Sequence, residues 1–206
     1  MEGFILVGGA SSRMGADKSQ LMFGTQTSVE RIAAALSTLT NQIRTVGRAG
    51  QETAPALSHL IDLHSRWGAL GGIHAALQAC ESEWAAVAAC DLPLVTSALF
   101  RRLLSLTANS DHGPYDAVVP LQSDNRPQPL CALYRRERCL QKAEELIAAG
   151  EHTPRVLLSA IATRWVSSEE LSDLPNAEHF FLNVNTPEDY ESAKLILAKT
   201  EENSSQ

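Results

Sequence analysis

Residues 4–19 read FILVGGASSRMGADKS. The first four residues are apolar and typical of a short β-strand, and the next twelve form a loop that contains three glycines, an arginine and a lysine. Ordering adjacent glycines such as Gly8 and Gly9 costs conformational entropy, so a plain connection gains little from them. We therefore expect a ligand to approach the backbone of this loop closely, directly after the first strand.

The loop has the chemistry of a phosphate site. Backbone N–H groups can surround phosphate oxygens, Arg13 can make a forked contact, and Lys18 can supply a point charge. A Walker A motif requires glycine directly before the lysine, whereas two residues separate Gly15 from Lys18, and the glycine spacing also differs from GxGxxG. The loop therefore predicts an anion-binding site of another type.

The composition is that of an ordinary globular protein and excludes several functional classes. At 206 residues, with 44% hydrophobic residues, the chain fits one domain. A net charge of -7 without a basic block argues against a nucleic-acid surface. No apolar stretch approaches the roughly 20 residues of a membrane span, and the N-terminal run lacks the basic flank and the length of a signal peptide. We expect a cytoplasmic protein that binds neither nucleic acid nor membrane.

The cysteines and histidines indicate no metal or disulfide framework. The four cysteines form no CxxC pair, and the six histidines form no HExxH motif. Buried free thiols in a reducing compartment are the expected state, with a disulfide or zinc framework as the disfavoured alternative. The cysteines are Cys80, Cys90, Cys131 and Cys139.

Strand-like and helix-like segments alternate along the chain, which predicts a single-domain, doubly wound α/β fold with a mostly parallel, Rossmann-like sheet. Apolar periodicity predicts strands at 4–7, 43–46, 59–63, 84–90, 116–121, 129–135 and 180–184, and helices at 27–39, 68–80, 97–106, 136–150 and 186–199. Ser97 is expected to cap the third helix and Thr186 the last, and Gly150 is expected to close the fourth.

In sheets of this kind ligands bind beyond the carboxyl ends of the strands. Three unusual segments lie there: the glycine-rich loop after 4–7, the loop after 59–63, and the sequence CDLP at 90–93. Asp91 follows an apolar strand, and Pro93 prevents that strand from continuing. A carboxylate in this position can hold Mg²⁺, although an aspartate in a turn is the alternative interpretation.

Five motifs, in order, resemble those of the MobA-type nucleotidyltransferases and together span residues 4 to about 197. They are LVGGASSRMGADK, DLHSRWGALGGI, CDLP, RPQPLCALYR and NVNTPEDY, at 6–18, 62–73, 90–93, 126–135 and 183–190. The chain departs from the family pattern at Val7, where alanine is usual, and at Ala69, where proline is usual. Gly47 falls near a position at which the family can place a polar residue close to the nucleotide, which leaves base contacts there open.

The resemblance implies a nucleotidyltransferase fold over residues 1–197. The polar composition of residues 198–206 predicts a disordered tail. It also implies molybdenum cofactor guanylyltransfer, in which GMP passes from GTP to molybdopterin phosphate and pyrophosphate leaves. Mg²⁺ is the implied cofactor. Whether proteins that deliver the cofactor or receive it bind this chain stays open.

The resemblance also assigns roles to individual residues. The implied catalytic residues are Arg13, Lys18 and Asp91, and Asp91 is the implied metal ligand. Besides Lys18 and Asp91, the nucleotide would contact Leu6, Val7, Gly8, Gly9, Asp62, Gly68, Leu70 and Gly71. The acceptor side would include Arg126, Gln128, Asn183 and Asn185. Solvated loop charges, glycine-rich helix entry and asparagine turns are the structural alternatives for these positions.

Other functions compete with this interpretation. A cytidylyltransferase for the same cofactor, or a nucleotidyltransferase for another small phosphate, would use similar motifs. Gly9 and the GALGG segment at 68–72 resemble the guanine-type members instead. A non-catalytic nucleotide-binding module would be expected to lack Lys18 or Asp91, and the sequence retains both.

Overall fold

The computed structural model describes residues 1–7, 18–50, 54, 56–62, 67–108 and 114–204. Within these residues the strands are β1 (Glu2–Leu6), β2 (Met22–Phe23), β3 (Gln26–Thr27), β4 (Ile43–Gly47), β5 (Ser58–Ile61), β6 (Trp84–Ala89), β7 (Ala117–Pro120), β8 (Cys131–Arg135) and β9 (Thr163–Val166). The helices are α1 (Ser28–Ser37), α2 (Gly68–Ala79), α3 (Ser97–Ser105), α4 (Arg136–Ala148), α5 (Pro154–Ser159) and α6 (Pro187–Ser204).

The main sheet contains seven strands in the order β5-β4-β1-β6-β8-β7-β9. Its strands pair in parallel except β8, which runs antiparallel to both β6 and β7. The strands β2 and β3 form a separate antiparallel ribbon directly before α1. This arrangement confirms the predicted doubly wound, mostly parallel α/β class, while the reversed direction of β8 was not anticipated.

Helices cover both faces of the sheet, because each strand places alternate side chains on opposite sides. Ile5 lies in one buried cluster with Ile32 of α1 and Leu99 of α3. Phe4 lies in the other, with Ile73 of α2 and further residues from α4 and α5. Since both faces are buried, the strand ends are the part of the sheet that remains open to a ligand.

All four cysteines are buried free thiols. Among the helices of the described residues, none is both long enough and apolar enough to cross a lipid bilayer.

The helix boundaries follow the predicted capping residues with one shift. At α6, the backbone N–H of Asp189 donates to Thr186 Oγ1 at 3.1 Å, which confirms Thr186 as the cap. Gly150 follows α4 with a left-handed φ of 84°, as a closing glycine does. At α3 the predicted Ser97 is wrong, because Thr96 precedes the helix and accepts from the N–H of Leu99.

The predicted strand at 180–184 is wrong. Phe180 is fully buried and the backbone of Leu182 bonds back to His179, so this segment turns across the strand ends. The outer position of the sheet beside β7 is taken by β9, which the sequence did not predict and which is only partly buried. An apolar run is typical of a strand, but in this protein it fills the end of the core instead.

The last helix is longer than predicted. It continues to Ser204, beyond the predicted helix end at residue 199 and into the tail that was expected from residue 198. Thr200 donates from Oγ1 to the carbonyl oxygen of Ile196 at 2.9 Å, as a residue inside a helix does. The domain extent of 1–197 stays a prediction.

A buried carboxylate, Glu2, links several segments at the amino end of the central strand β1. Glu2, which is 1% exposed, accepts from the backbone N–H groups of Glu81 at 2.7 Å and Ser82 at 2.8 Å and pairs with Arg44. Burial alone would raise the pKa of Glu2, but these two N–H bonds and the guanidinium outweigh it and lower the pKa below its ordinary value. Ionised Glu2 therefore stabilises the folded state.

We expect Glu2→Gln to lower the free energy of unfolding by about 2 kcal/mol near neutral pH, the scale of hydrogen bonds to a charged group. Because the pKa is lower in the folded state, this stabilisation is present above the unfolded pKa and is lost as the pH falls through the folded pKa. Urea unfolding near pH 7 and near pH 3 measures both effects. The control is Glu83→Gln, whose exposed carboxylate pairs with Arg135 at 2.6 Å. A difference in stability between the native protein and Glu2→Gln that persists undiminished in acid would contradict this explanation.

Candidate active site

The candidate site lies where the two central strands end. The N–H of Cys90, directly after β6, donates to the carbonyl oxygen of Leu6 at 3.0 Å, and the N–H of Val7 donates to Val46 at 2.8 Å. After β1 the chain continues to β4 on one side of β1, whereas β6 lies on the other side of β1. The connections that follow β1 and β6 therefore lead away from each other. Such a switch point opens a crevice for a ligand.

Three distant parts of the chain meet in this crevice. The ammonium group of Lys18 donates to Asn185 Oδ1 at 2.5 Å and lies 3.9 Å from Asp91 Oδ2. The N–H of Val184 donates to the carbonyl oxygen of Asp91 at 2.9 Å. This bond holds residues 183–185, here called the asparagine loop, against the end of β6. The structure therefore brings together Lys18, Asp91 and Asn185, which the sequence predicted separately.

Asp91 is a partly buried carboxylate whose negative charge is only partly compensated by the protein. Its side chain is 25% exposed, and burial raises the pKa of Asp91, while the ammonium of Lys18 acts in the opposite direction without cancelling this effect. A buried anion with incomplete charge compensation gains free energy when another cation arrives. This is the electrostatic condition expected of a metal ligand.

Packing on the far side of Lys18 fixes its position. The chain after Lys18 forms the β2–β3 ribbon, in which Phe23 is buried in a small cluster with Val184 and Ala193. Tyr190 of α6 packs edge to face on Phe23, with ring centroids 5.3 Å apart, and its hydroxyl donates to the ribbon backbone at 2.6 Å. The ribbon therefore docks on the segment that carries Asn185.

The start of α6 orients Asn185. Asp189 Oδ2 accepts from the N–H groups of Asn185 at 3.0 Å and Thr186 at 2.9 Å. These backbone bonds, with a smaller contribution from Lys18, lower the pKa of Asp189 below its usual value. The contact of Asp189 with these N–H groups was not predicted from the sequence. The place of Asp189 three residues after the Thr186 cap was the signal that could have revealed it.

Residues of α1 support the segment after β6. Ser28 Oγ donates to the carbonyl oxygen of Cys90, and Arg31 Nε donates to that of Pro93 at 3.4 Å. These contacts link the first turn of α1 to the backbone on either side of Asp91. No pattern in the sequence indicated them, because they depend on how α1 crosses the sheet.

The predicted nucleotide-binding residues that follow β5 lie around the start of α2. Asp62 follows β5 and donates from its N–H to the carbonyl oxygen of Gly47 at 2.7 Å. Gly68 begins α2 with a left-handed φ of 55°, a conformation that favours glycine. Gly71 is buried in the same helical turn. At Gly72 an added Cβ would lie 3.1 Å from Leu6 Cδ1, so this glycine allows α2 to pack closely on β1.

The side chain of Leu70, a predicted nucleotide contact, does not face the crevice. Leu70 is fully buried in the core beneath α2, so only its backbone can contact a ligand. Leu6 and Val7 are likewise almost fully buried at the end of β1, and backbone contact is the role that stays predicted for them. Gly8, Gly9 and Arg13 lie outside the described residues.

The acceptor-side residues are not all in one place. Asn185 reaches Lys18, whereas Asn183 donates from Nδ2 to the carbonyl oxygen of Phe181 at 3.4 Å, within its own turn. Arg126 pairs with Asp124 in the turn between β7 and β8 and is largely exposed. Gln128, in the same turn, is 7% exposed, and its N–H donates to Pro120. The acceptor roles of these residues stay predictions.

The side chains of the described part of the chain contain no group of three or more histidine, cysteine or acidic residues placed to hold a metal ion. Asp91, with the nearby amide oxygen of Asn185, could provide a partial set of oxygen ligands. Mg²⁺ is commonly bound through one or two carboxylates together with substrate phosphates. The described residues therefore fit a metal that enters with a nucleotide.

A doubly wound sheet with a lysine and a partly buried carboxylate at its switch point is an arrangement that suits an α/β nucleotidyltransferase. The chain belongs to the family of the MobA-like NTP transferase domain, whose model matches residues 3–165.

Named relatives cover nearly the whole chain. A probable molybdenum cofactor guanylyltransferase of Pelotomaculum thermopropionicum is 31% identical over 201 residues, covering 94% of this chain and 92% of its own length. A protein of the same name from Bacillus cereus strain B4264 is 32% identical over 202 residues, covering 95% and 96%.

Solved structures agree with the fold. Molybdopterin-guanine dinucleotide biosynthesis protein A of Archaeoglobus fulgidus superimposes with a TM-score of 0.79 at 26% identity, covering 97% of this chain and 100% of that one. The 2-C-methyl-D-erythritol 4-phosphate cytidylyltransferase of Thermus thermophilus gives a TM-score of 0.69 at 16% identity, covering 95% and 98%, which shows a shared fold alone.

We expect Asp91→Asn to lower nucleotidyl transfer about a hundredfold or more, the scale of losing one strong electrostatic contact.

The effect of Asp91→Asn on the free energy of unfolding should depend on pH. Because the pKa of Asp91 is raised in the folded state, ionisation destabilises the folded protein as the pH rises above the unfolded pKa. The variant avoids that loss, so its free energy of unfolding, relative to that of the native protein, should be larger near pH 7 than near pH 4. Turnover assays and denaturant unfolding test the two parts. Near-normal metal-dependent turnover would exclude Asp91 as the metal ligand.

Proposed function

We propose that this protein is a molybdenum cofactor guanylyltransferase that transfers GMP from GTP to molybdopterin phosphate and releases pyrophosphate. The observation that carries the proposal is the meeting of Lys18, Asp91 and Asn185 at the switch point of the sheet. The names of the relatives, which cover most of the chain, support the choice of nucleotide and acceptor.

The reaction is a displacement at the α-phosphorus of GTP. A phosphate oxygen of the acceptor forms a bond to that phosphorus while the bond to the bridging oxygen breaks and pyrophosphate leaves. Two anionic groups must approach each other, so positioning and charge neutralisation are the main tasks. Lys18 supplies a positive charge held by Asn185, and its partly buried position strengthens its attraction for phosphate oxygens.

The contacts of Lys18 also suggest how the site changes when substrate binds. Mg²⁺ held by Asp91, with Asn185 nearby, would supply further neutralisation of charge on the phosphates. The ammonium of Lys18 could then turn from Asp91 toward the phosphates while remaining bonded to Asn185. Asp189 keeps the backbone of Asn185 in place throughout, because it bonds to backbone N–H groups rather than to the amide.

The nucleotide choice can be tested by thermal melting with Mg²⁺ present. We expect GTP to raise the melting temperature more than CTP, ATP or UTP at equal concentration, because a site that hydrogen-bonds one base edge leaves its own groups unpaired with another. At about 100 times its dissociation constant, GTP should add ~2.7 kcal/mol of stability. A larger shift with CTP would replace the proposed function with the cytidylyl alternative. No shift with any nucleotide would contradict nucleotidyl transfer altogether.

The role of Lys18 can be tested separately by calorimetric titration of GTP. We expect Lys18→Ala to weaken GTP affinity about tenfold or more, the scale of a hydrogen bond between charged groups. The control is Lys142→Ala, which removes a lysine that pairs with Glu145 on the surface of α4. If both variants bind GTP as the native protein does, Lys18 has no part in phosphate binding.

A further inference from the structure

A cavity of about 600 Å³ opens beyond the ends of β7 and β9. Its lining comes from residues 121–123 after β7, residues 168, 169, 171 and 172 after β9, and residues 177, 178, 181 and 182 farther along the chain. We call it the β7–β9 cavity. Its volume lies within the roughly 300–1,000 Å³ of small-molecule sites. Its lining includes none of the predicted site residues that the structure describes, so the proposed chemistry leaves it unexplained.

The cavity lies at the same edge of the sheet as the catalytic residues. The strands β6, β7 and β9 run in one direction, because β8 is antiparallel to the first two and β7 is parallel to β9. The cavity wall at Leu182 continues along the chain to Asn185, which binds Lys18. Three residues span at most about 10 Å. A molecule with a phosphate at Lys18 can therefore extend its other end into the cavity.

The two sides of the site are separated by the order of the strands. The predicted nucleotide residues Asp62 and Gly68 follow β5, at one end of the sheet, and the β7–β9 cavity lies near the other end. Asp91 follows β6, between the two. If GTP occupies the β5 side, the β7–β9 side is left for the acceptor.

The lining combines apolar side chains with the carboxylates of Glu169 and Glu178. Phe181 packs edge to face against Phe180, with ring centroids 6.2 Å apart, which fixes the orientation of its ring. Leu171, 2% exposed, lies beneath the cavity. Glu169 lies at the rim in the turn after β9, and a hydrogen bond from Ser167 holds the pKa of Glu169 below its usual value. Aromatic and apolar walls suit a planar ring, and an ionised carboxylate suits a pair of N–H donors.

We infer that the β7–β9 cavity binds the ring system of the acceptor, a pterin, with Phe181 against the ring face and Glu169 accepting from its 2-amino-4-oxopyrimidine edge. The inference rests on the proposed function, which supplies a pterin phosphate as acceptor. Guanine carries the same hydrogen-bonding edge as a pterin. The test must therefore separate a pterin in the cavity from a pterin in the guanine site.

The first experiment uses the native protein. The probes are 6-hydroxymethylpterin and the corresponding lumazine, which carries oxygen in place of the 2-amino group, titrated by fluorescence with and without saturating GTP and Mg²⁺. We expect the pterin to bind in both conditions and about tenfold or more tightly than the lumazine, because the lumazine lacks a donor for Glu169.

Each other outcome has a definite meaning. Displacement of the pterin by GTP would place it in the guanine site and overturn the inference. Absence of pterin binding to a protein that GTP stabilises would overturn the inference and leave the proposed function intact. A protein that no nucleotide stabilises would contradict the proposed function and the inference together.

The second experiment uses Glu169→Gln, an exposed position where an isosteric change leaves the core untouched. We expect pterin affinity to fall about tenfold, the preference over lumazine to shrink, and the melting shift with GTP to stay unchanged. Glu145→Gln, which alters an exposed glutamate on α4 outside the cavity, should behave as the native protein does. Equal pterin affinity in Glu169→Gln and the native protein would overturn the assignment of Glu169.

Discussion

The parallel pairing of β1 with β6 places the candidate site residues of this protein side by side. The N–H of Cys90 donates to the carbonyl oxygen of Leu6, so the chain leaves both strands at the same level, and the segments that follow them must share one crevice. The glycine-rich loop and its Lys18 follow β1, and Asp91 follows β6. The bare backbone of Gly72 allows α2 to pack closely on β1 beside this crevice.

The charges in the crevice are not fully compensated within the protein, and a bound cation would compensate them. Burial raises the pKa of Asp91, so ionisation of this carboxylate is unfavourable in the folded protein, and Lys18, at 3.9 Å, compensates its charge only in part. Such a group reduces the stability of the free protein, and a bound cation would restore it. Glu2 at the opposite edge is the contrasting case, because its backbone N–H partners and Arg44 satisfy the charge within the fold.

The segment between β9 and α6 connects the β7–β9 cavity, proposed for the ring of the acceptor, with Lys18, proposed for its phosphate. Phe180 anchors it in the core, Phe181 and Leu182 line the β7–β9 cavity, and Asn185 bonds to Lys18. One short stretch of chain can therefore position both the ring and the phosphate of a single molecule. Since Asp189 fixes the end of this stretch through backbone bonds, the two contacts would be held at a constant spacing.

The amino-acid sequence by itself determined the alternation of strands and helices, the ends of most elements, and the candidates Lys18, Asp91 and Asn185, because periodicity, capping and the order of motifs are local properties of the chain. It led to a wrong strand at 180–184, missed β9 and α5, and did not show that the side chain of Leu70 lies in the core. Whether an apolar side chain faces a core or a base depends on what packs against it. The direction of β8, the contact between Lys18 and Asn185, and the cavity beyond β7 and β9 were decided only by the tertiary structure, because each arises where segments far apart in the chain are packed against one another.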